Sequence, residues 1–165
     1  MLLSDKFYSC TKEYNTIHHH VAAPMLRKSF TLGSVPKKAE ITVTGLGFYV
    51  LFVNGKNITK GALAPYVSNP DQVIYYDNYD VAEYLTEGEN VVGLLLGNGM
   101  QDEDTRVWDF YKNAFRSAPK FAIAVEADGK LLFEADGGFK WRPSPVRFDS
   151  LRAGERYDAR EEAAG

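Results

Sequence analysis

Gly45-Leu46-Gly47-Phe48-Tyr49-Val50-Leu51-Phe52-Val53-Asn54-Gly55-Lys56 is the stretch on which the fold turns. The apolar run from Phe48 to Val53 is too short for a buried helix. It carries the β-branched and aromatic side chains that fit a pleated sheet covered on both faces. Asn54-Gly55 then supplies two adjacent positions where a positive φ costs little, which is what a two-residue type I′ hairpin turn requires. The return through Asn57-Ile58-Thr59 is short. A strand followed by so tight a reversal predicts antiparallel sheet.

Working outward, the same signals recur. Met25 to Leu32 alternates imperfectly and reads as a first strand. Ala39 to Thr44 sets Ala39, Ile41 and Val43 on one face and Glu40, Thr42 and Thr44 on the other, the pattern of a half-buried strand. Gln72 to Asp80, rich in β-branched and aromatic residues, predicts another, and Asn90 to Leu96 a buried one that ends at the bend Gly97-Asn98-Gly99. Phe121 to Glu126 and Leu131 to Phe133 flank Asp128-Gly129, a second hairpin signal. Trp141 and Val146 to Phe148 read as the last edge elements. Asp80 and Glu83 have the spacing of an N-cap and its N3 carboxylate, and Gly88 sits where a helix of one or two turns would stop. One short helical turn is therefore expected as a connection. About eight strands with turn signals roughly every 8–12 residues predict an all-β jelly-roll sandwich.

The chain has 165 residues, 45% hydrophobic and 25% charged, the size of one domain that can bury a core without staples. The net charge of −3, with Lys and Arg scattered, gives no basic stripe for a phosphate backbone, so no nucleic-acid partner is expected. Cys10 is the single cysteine, which excludes an intrachain disulfide and fits a reducing compartment. Met1-Leu2-Leu3-Ser4-Asp5-Lys6 places charges where a signal peptide needs an apolar core, and no apolar run approaches the ~18 residues of a membrane span. A cytoplasmic chain with no membrane partner is expected. Residues 1–23, polar and aperiodic, read as an N-terminal arm, 24–150 as the sandwich, and 151–165 as an exit linker toward a domain not present here.

Little in the sequence points to catalysis. Glycoside hydrolysis needs two carboxyl groups held across a sugar, and nothing in the spacing of the acidic residues brings two together. The run His18-His19-His20 cannot turn three rings onto one metal, and no Ser/His/Asp set assembles. Asp102-Glu103-Asp104 offers oxygen ligands for Ca²⁺ but lacks the regular spacing of a calcium loop, and by itself reads first as a solvated acidic loop. Residues 100–119 run without a period, and a loop this long inside a compact domain is usually functional or packed on itself. Its Trp108 and Tyr111, with Gln101, Asp109 and Asn113 nearby, are the residue types of a sugar site: an aromatic face for C–H groups, amides and carboxylates for hydroxyls. The alternative is that Trp108 and Phe110 anchor the loop to the core.

Gly45-Leu46-Gly47-Phe48-Tyr49, Asn54-Gly55-Lys56, Leu63-Ala64-Pro65, Tyr76 through Tyr79-Asp80-Val81, Gly88-Glu89-Asn90 and Leu96-Gly97-Asn98-Gly99 together resemble the N-terminal β-sandwich module of bacterial α-L-rhamnosidases. Ser144-Pro145-Val146-Arg147-Phe148 and Gly154-Glu155-Arg156-Tyr157-Asp158-Ala159-Arg160 resemble the segment leading out of that module. The resemblance spans roughly residues 24–160. It implies a jelly roll similar to galactose-binding domains and a parent glycoside hydrolase that removes terminal α-L-rhamnose in a separate barrel. The chain itself would be a non-catalytic module that assists recognition of a rhamnose-containing glycan. It also implies, by position, sugar contacts from Asn69 and Asp71 in the loop after Leu-Ala-Pro and from Asn98, Gln101, Trp108 and Asp109 in the loop after Gly-Asn-Gly. A Ca²⁺ associated with that sugar would find its ligand in Asp102. The other readings are a structural spacer packed on the catalytic domain and a stand-alone lectin-like protein.

Overall fold

The computed structural model describes residues 3–103 and 116–162. Eleven strands lie among them: β1 (Pro24–Leu32), β2 (Ala39–Leu46), β3 (Phe48–Val53), β4 (Lys56–Asn57), β5 (Asp77–Asp80), β6 (Gly88–Gly97), β7 (Lys120–Ala127), β8 (Lys130–Glu134), β9 (Lys140–Pro143), β10 (Val146–Ser150) and β11 (Gly154–Tyr157). They form a five-stranded antiparallel sheet in the order β4-β3-β6-β1-β9, a four-stranded one in the order β5-β2-β7-β8, and a separate β10–β11 hairpin. The strand order is not sequential, as expected of a jelly-roll sandwich.

The core lies between the two larger sheets. Leu51 and Val53 of β3 and Val92, Leu94 and Leu96 of β6 meet Ile41 and Val43 of β2 and Phe121, Ile123 and Val125 of β7. Each is almost wholly buried, which contributes about 1.5–3 kcal/mol per large aliphatic side chain. The outer face of β2 is also covered: Thr42 and Thr44 are buried, not solvated as alternation predicts. The reason at Thr44 is that residue 75 lies over it, and the Thr44 hydroxyl donates to the Tyr75 carbonyl at 2.6 Å.

Both hairpin turns are as the sequence predicts. Asn54 and Gly55 have φ of 49° and 80°, and Asp128 and Gly129 have 49° and 76°. The Asn54 side chain adds a second function. It donates to the Tyr84 carbonyl and to Asn90 Oδ1, and accepts from Val91 N–H. The helical connection is a single turn as expected, of 3₁₀ type over Ala82–Tyr84, but its N-cap is Val81 and not Asp80, and Gly88 opens β6 with a φ of 90°. The predicted strand over 72–80 is confined to Asp77–Asp80, because β2 pairs with it only as far as Val43 opposite Asp77. Residues 72–76 leave the sheet and expose Val73, Tyr75 and Tyr76.

Residues 3–23 dock on the sandwich. Tyr8 and Phe121 exchange two backbone hydrogen bonds at 2.9 Å, extending the β7 end by one bridge. Ala23 pairs with Val146 and Ser144, which ties the arm to the β10–β11 hairpin. Within 151–165, the segment read as a linker, Gly154–Tyr157 forms β11 against β10, and Asp158 caps a 3₁₀ turn at Ala159–Glu161. Each of the two larger sheets ends in short or interrupted strands. The outermost members are β4 with two residues, β9 and β5 with four each, and β8, whose pairing with β7 shifts register between Val125 and Glu126. Among the described residues, no helix is long and apolar enough to cross a membrane.

Candidate functional site

Two loops at one end of the sandwich converge. The first runs over residues 64–75 and is pinned at both ends: Tyr49 N–H donates to the Ala64 carbonyl at 2.7 Å, and Thr44 holds Tyr75. Inside it, Asn69 organises a turn. Its Oδ1 accepts from Asp71 N–H at 3.2 Å, and its carbonyl accepts from Gln72 and Val73 N–H at 2.9 Å. Below, the Tyr49 hydroxyl donates to Asp77 at 2.5 Å and meets the Tyr79 hydroxyl at 3.1 Å, an apolar-to-polar column that ties β3 to β5. Burial and the Asp77 carboxylate push the Tyr49 phenol well above its ordinary pKa.

The second loop begins at Gly97-Asn98-Gly99. Asn98 is 2% exposed and turned inward. Its N–H donates to Asp149 Oδ2 at 2.7 Å and its Nδ2 to Asp149 Oδ1 at 2.6 Å, so the bend is bolted to β10. The Asn98 carbonyl accepts from Gln101 and Asp102 N–H, closing a turn. Gln101 then bonds through Nε2 to the Ser117 hydroxyl at 2.9 Å. Glu103 accepts from the Ser150 hydroxyl and from Leu151 N–H, a second tie to the β10–β11 hairpin.

Between the loops lies a cleft of about 740 Å³, within the size range of small-molecule sites. Phe7, Phe48, Tyr66 and Tyr75 supply aromatic surface, Asn69 and Gln101 amides, Ser68 and Ser117 hydroxyls, and Asp71, Arg116 and Lys120 charge. Tyr66 is 81% exposed, so one ring is fully presented to solvent. Three of the residues singled out by the resemblance meet here: Asn69, Asp71 and Gln101. Asn98 does not; it lies beneath, spent on Asp149. Trp108 and Asp109 lie outside the described residues. Arg116, Lys120, Tyr66, Tyr75 and Phe7 were not foreseen. The tyrosines bracket the first loop and were visible in it, whereas Phe7 sits in an arm with no pattern to signal it.

Asp102 is buried, and its carboxylate accepts from Asn15 N–H at 2.9 and 3.1 Å and from Asn15 Nδ2 at 3.0 Å, with the Arg116 guanidinium 3.4 Å away. Both carboxylate oxygens of Asp102 are thus engaged by partners within the protein, which gives this residue a structural role beside the Ca²⁺ role that the resemblance implies. Among the described residues no group of three or more His, Cys, Asp or Glu side chains converges. His19 leans toward Glu13, and His20 packs edge-on against Phe148, so the histidine run diverges.

Burial pushes both Asp102 and Asp149 up to a pKa of about 6, in each case against backbone N–H bonds that pull the other way. With a folded pKa above the unfolded value of 3.8, the native state binds more protons between those limits. The contribution of these two groups to stability therefore rises as pH falls through 6 and levels off near 3.8. The urea midpoint is expected to be higher at pH 5.5 than at pH 7.5. A midpoint that is lower at pH 5.5 than at pH 7.5 would contradict the burial of these carboxyls.

The sequence model of the α-L-rhamnosidase N-terminal domain matches residues 34–165. An α-L-rhamnosidase of Formosa agariphila is 32% identical over 152 residues, which are 86% of this chain and 16% of the relative. The solved α-L-rhamnosidase from Dictyoglumus thermophilum aligns with a TM-score of 0.75 at 32% identity, over 87% of this chain and 16% of that one. That from Streptomyces avermitilis, solved complexed with L-rhamnose, aligns with a TM-score of 0.75 at 26% identity, over 88% of this chain and 14% of that one. The chain thus spans about a sixth of the length of these relatives. A match that takes in both cleft loops, on a fold shared at this level, makes the chain a member of the α-L-rhamnosidase N-terminal domain family.

Proposed function

We propose that this domain is the non-catalytic, sugar-recognising module of an α-L-rhamnosidase-type glycoside hydrolase, and that it takes a rhamnosyl unit in the cleft between residues 64–75 and 98–103. The observation that carries this reading is the convergence of the two loops into a concave site with aromatic rings and side-chain amides on its surface. That pairing suits a sugar, whose C–H faces pack on rings while its hydroxyls need directional partners. A spacer that only packs on a catalytic domain would need no such concavity. The choice of rhamnose rests on the family and on the relative solved with that sugar.

A monosaccharide of about eleven non-hydrogen atoms, at ~0.3 kcal/mol each, corresponds to millimolar affinity. NMR titration with L-rhamnose is therefore the measurement of choice. Saturable shifts at Asn69, Asp71 and Gln101 are expected, with Gln101→Ala weakening the apparent Kd about fivefold. Running the titration with and without Ca²⁺ separates a metal-assisted mode from direct binding. Spectra that stay flat to high sugar concentration would overturn the reading and leave the spacer role.

A further inference from the structure

The feature the proposed function does not absorb is Asn15. It sits in an otherwise polar, aperiodic arm, yet it is 1% exposed and every polar group it carries is engaged. Its N–H and Nδ2 donate to Asp102, its Oδ1 accepts from Val21 N–H at 2.7 Å, and its carbonyl accepts from Arg116 at 2.5 Å. One residue thus joins three segments distant in sequence: the arm, the turn at 98–103 and the strand-entry segment at 116–119. Buried polar groups satisfied this fully hold a unique arrangement, because breaking one bond leaves another donor or acceptor unpaired in a low dielectric.

What Asn15 holds is the edge of the cleft. Asp102 follows Gln101, and Arg116 precedes Ser117. Gln101 and Ser117 bond to each other twice, through Nε2 to Oγ and through Ser117 N–H to the Gln101 carbonyl. Gln101, Arg116 and Ser117 all face the cleft, and Phe7 reaches it from the same arm. We infer that Asn15 is a positioning residue for the sugar site: through Asp102 and Arg116 it fixes the Gln101–Ser117 pair, and the arm is a structural part of the cleft. This deepens the proposed sugar recognition and rests on it for its functional consequence. The matched family model begins at residue 34, so Asn15 and its arm lie outside that match while their partners Asp102 and Arg116 lie within it.

The test uses the full chain with Asn15→Ala, which removes the side-chain bonds to Asp102 and Val21 and leaves the backbone ones, followed by amide hydrogen exchange and the rhamnose titration. Exchange at the Gln101 and Ser117 amides is expected to rise about tenfold, with protection in β2, β6 and β7 unchanged. Apparent sugar affinity should fall about five- to tenfold. A merely structural arm would lower protection everywhere or nowhere, so unchanged or uniform exchange would overturn the inference. Should Asn15→Ala fail to fold, Asp102→Asn preserves shape and one acceptor while removing the charge facing Arg116, and is read in the same way. A wild-type chain that ignores rhamnose while the local exchange effect persists would defeat the sugar reading but keep Asn15 as the residue that fixes the pair.

Discussion

Alanine at Gly47 is expected to lower stability by about 3 kcal/mol or more, seen as a large drop in the urea midpoint. Two causes add. Gly47 has a φ of 105°, where any side chain is strained, and a Cβ built there would lie 2.3 Å from the Gly97 carbonyl oxygen and 3.1 Å from that of Asn98. These are backbone atoms of the bend that starts the second loop, and they cannot swing aside as a flexible side chain would. Gly55 provides the control. Its φ of 80° is also positive, but nothing lies within 4 Å of an added Cβ. Gly55→Ala should cost about 1 kcal/mol, the conformational part alone. Equal effects at the two glycines would show that Gly47 and Gly97 do not touch. The two glycine motifs noticed in the sequence are thus one contact, with the β2–β3 junction lying directly against the end of β6.

The second large effect is expected at Asn98. Asn98→Ala removes the Nδ2 bond to Asp149 and leaves a largely buried carboxylate with one donor fewer. A cost of about 2–3 kcal/mol at pH 7.5 follows, because losing a partner of a buried charged group costs more than losing a neutral bond. The cost should shrink at pH 5, where Asp149 carries a proton and needs the donor less. Denaturation of both proteins at the two pH values checks this. A penalty that grows toward low pH would mean that Asn98 stabilises the bend by something other than the Asp149 carboxylate.

The fold was legible wherever a local rule had no competitor. Asn54-Gly55 and Asp128-Gly129 permit few other conformations, and the run from Phe48 to Val53 offers no polar side to expose. Gln72 to Asp80 misled because strand propensity reports side-chain type, while strand length depends on how far a neighbour pairs, and β2 leaves the pairing at Val43. The exposed Tyr75 and Tyr76 then serve the loop instead of the sheet. The site was legible only in part, for a related reason. Asn69, Asp71 and Gln101 stand in loops that the motifs mark. Asn98 and Asp102 stand in the same motifs but point inward, and alternation rules do not reach irregular backbone. Asn15 and Asp149 carry no local signal at all, since their roles come from partners 87 and 51 positions away.

The edges of the two larger sheets bear on how the domain behaves at the concentrations that a millimolar ligand demands. A long, flat outer strand would offer a row of unpaired N–H and C=O groups to the next molecule. Here β4 has two residues, β5 and β9 four each, and β8 departs from its neighbour at a register shift. None presents a template long enough for strand-by-strand growth between molecules. Concentrated samples should therefore stay free of intermolecular sheet, and light scattering of the domain should report a size that does not climb with time.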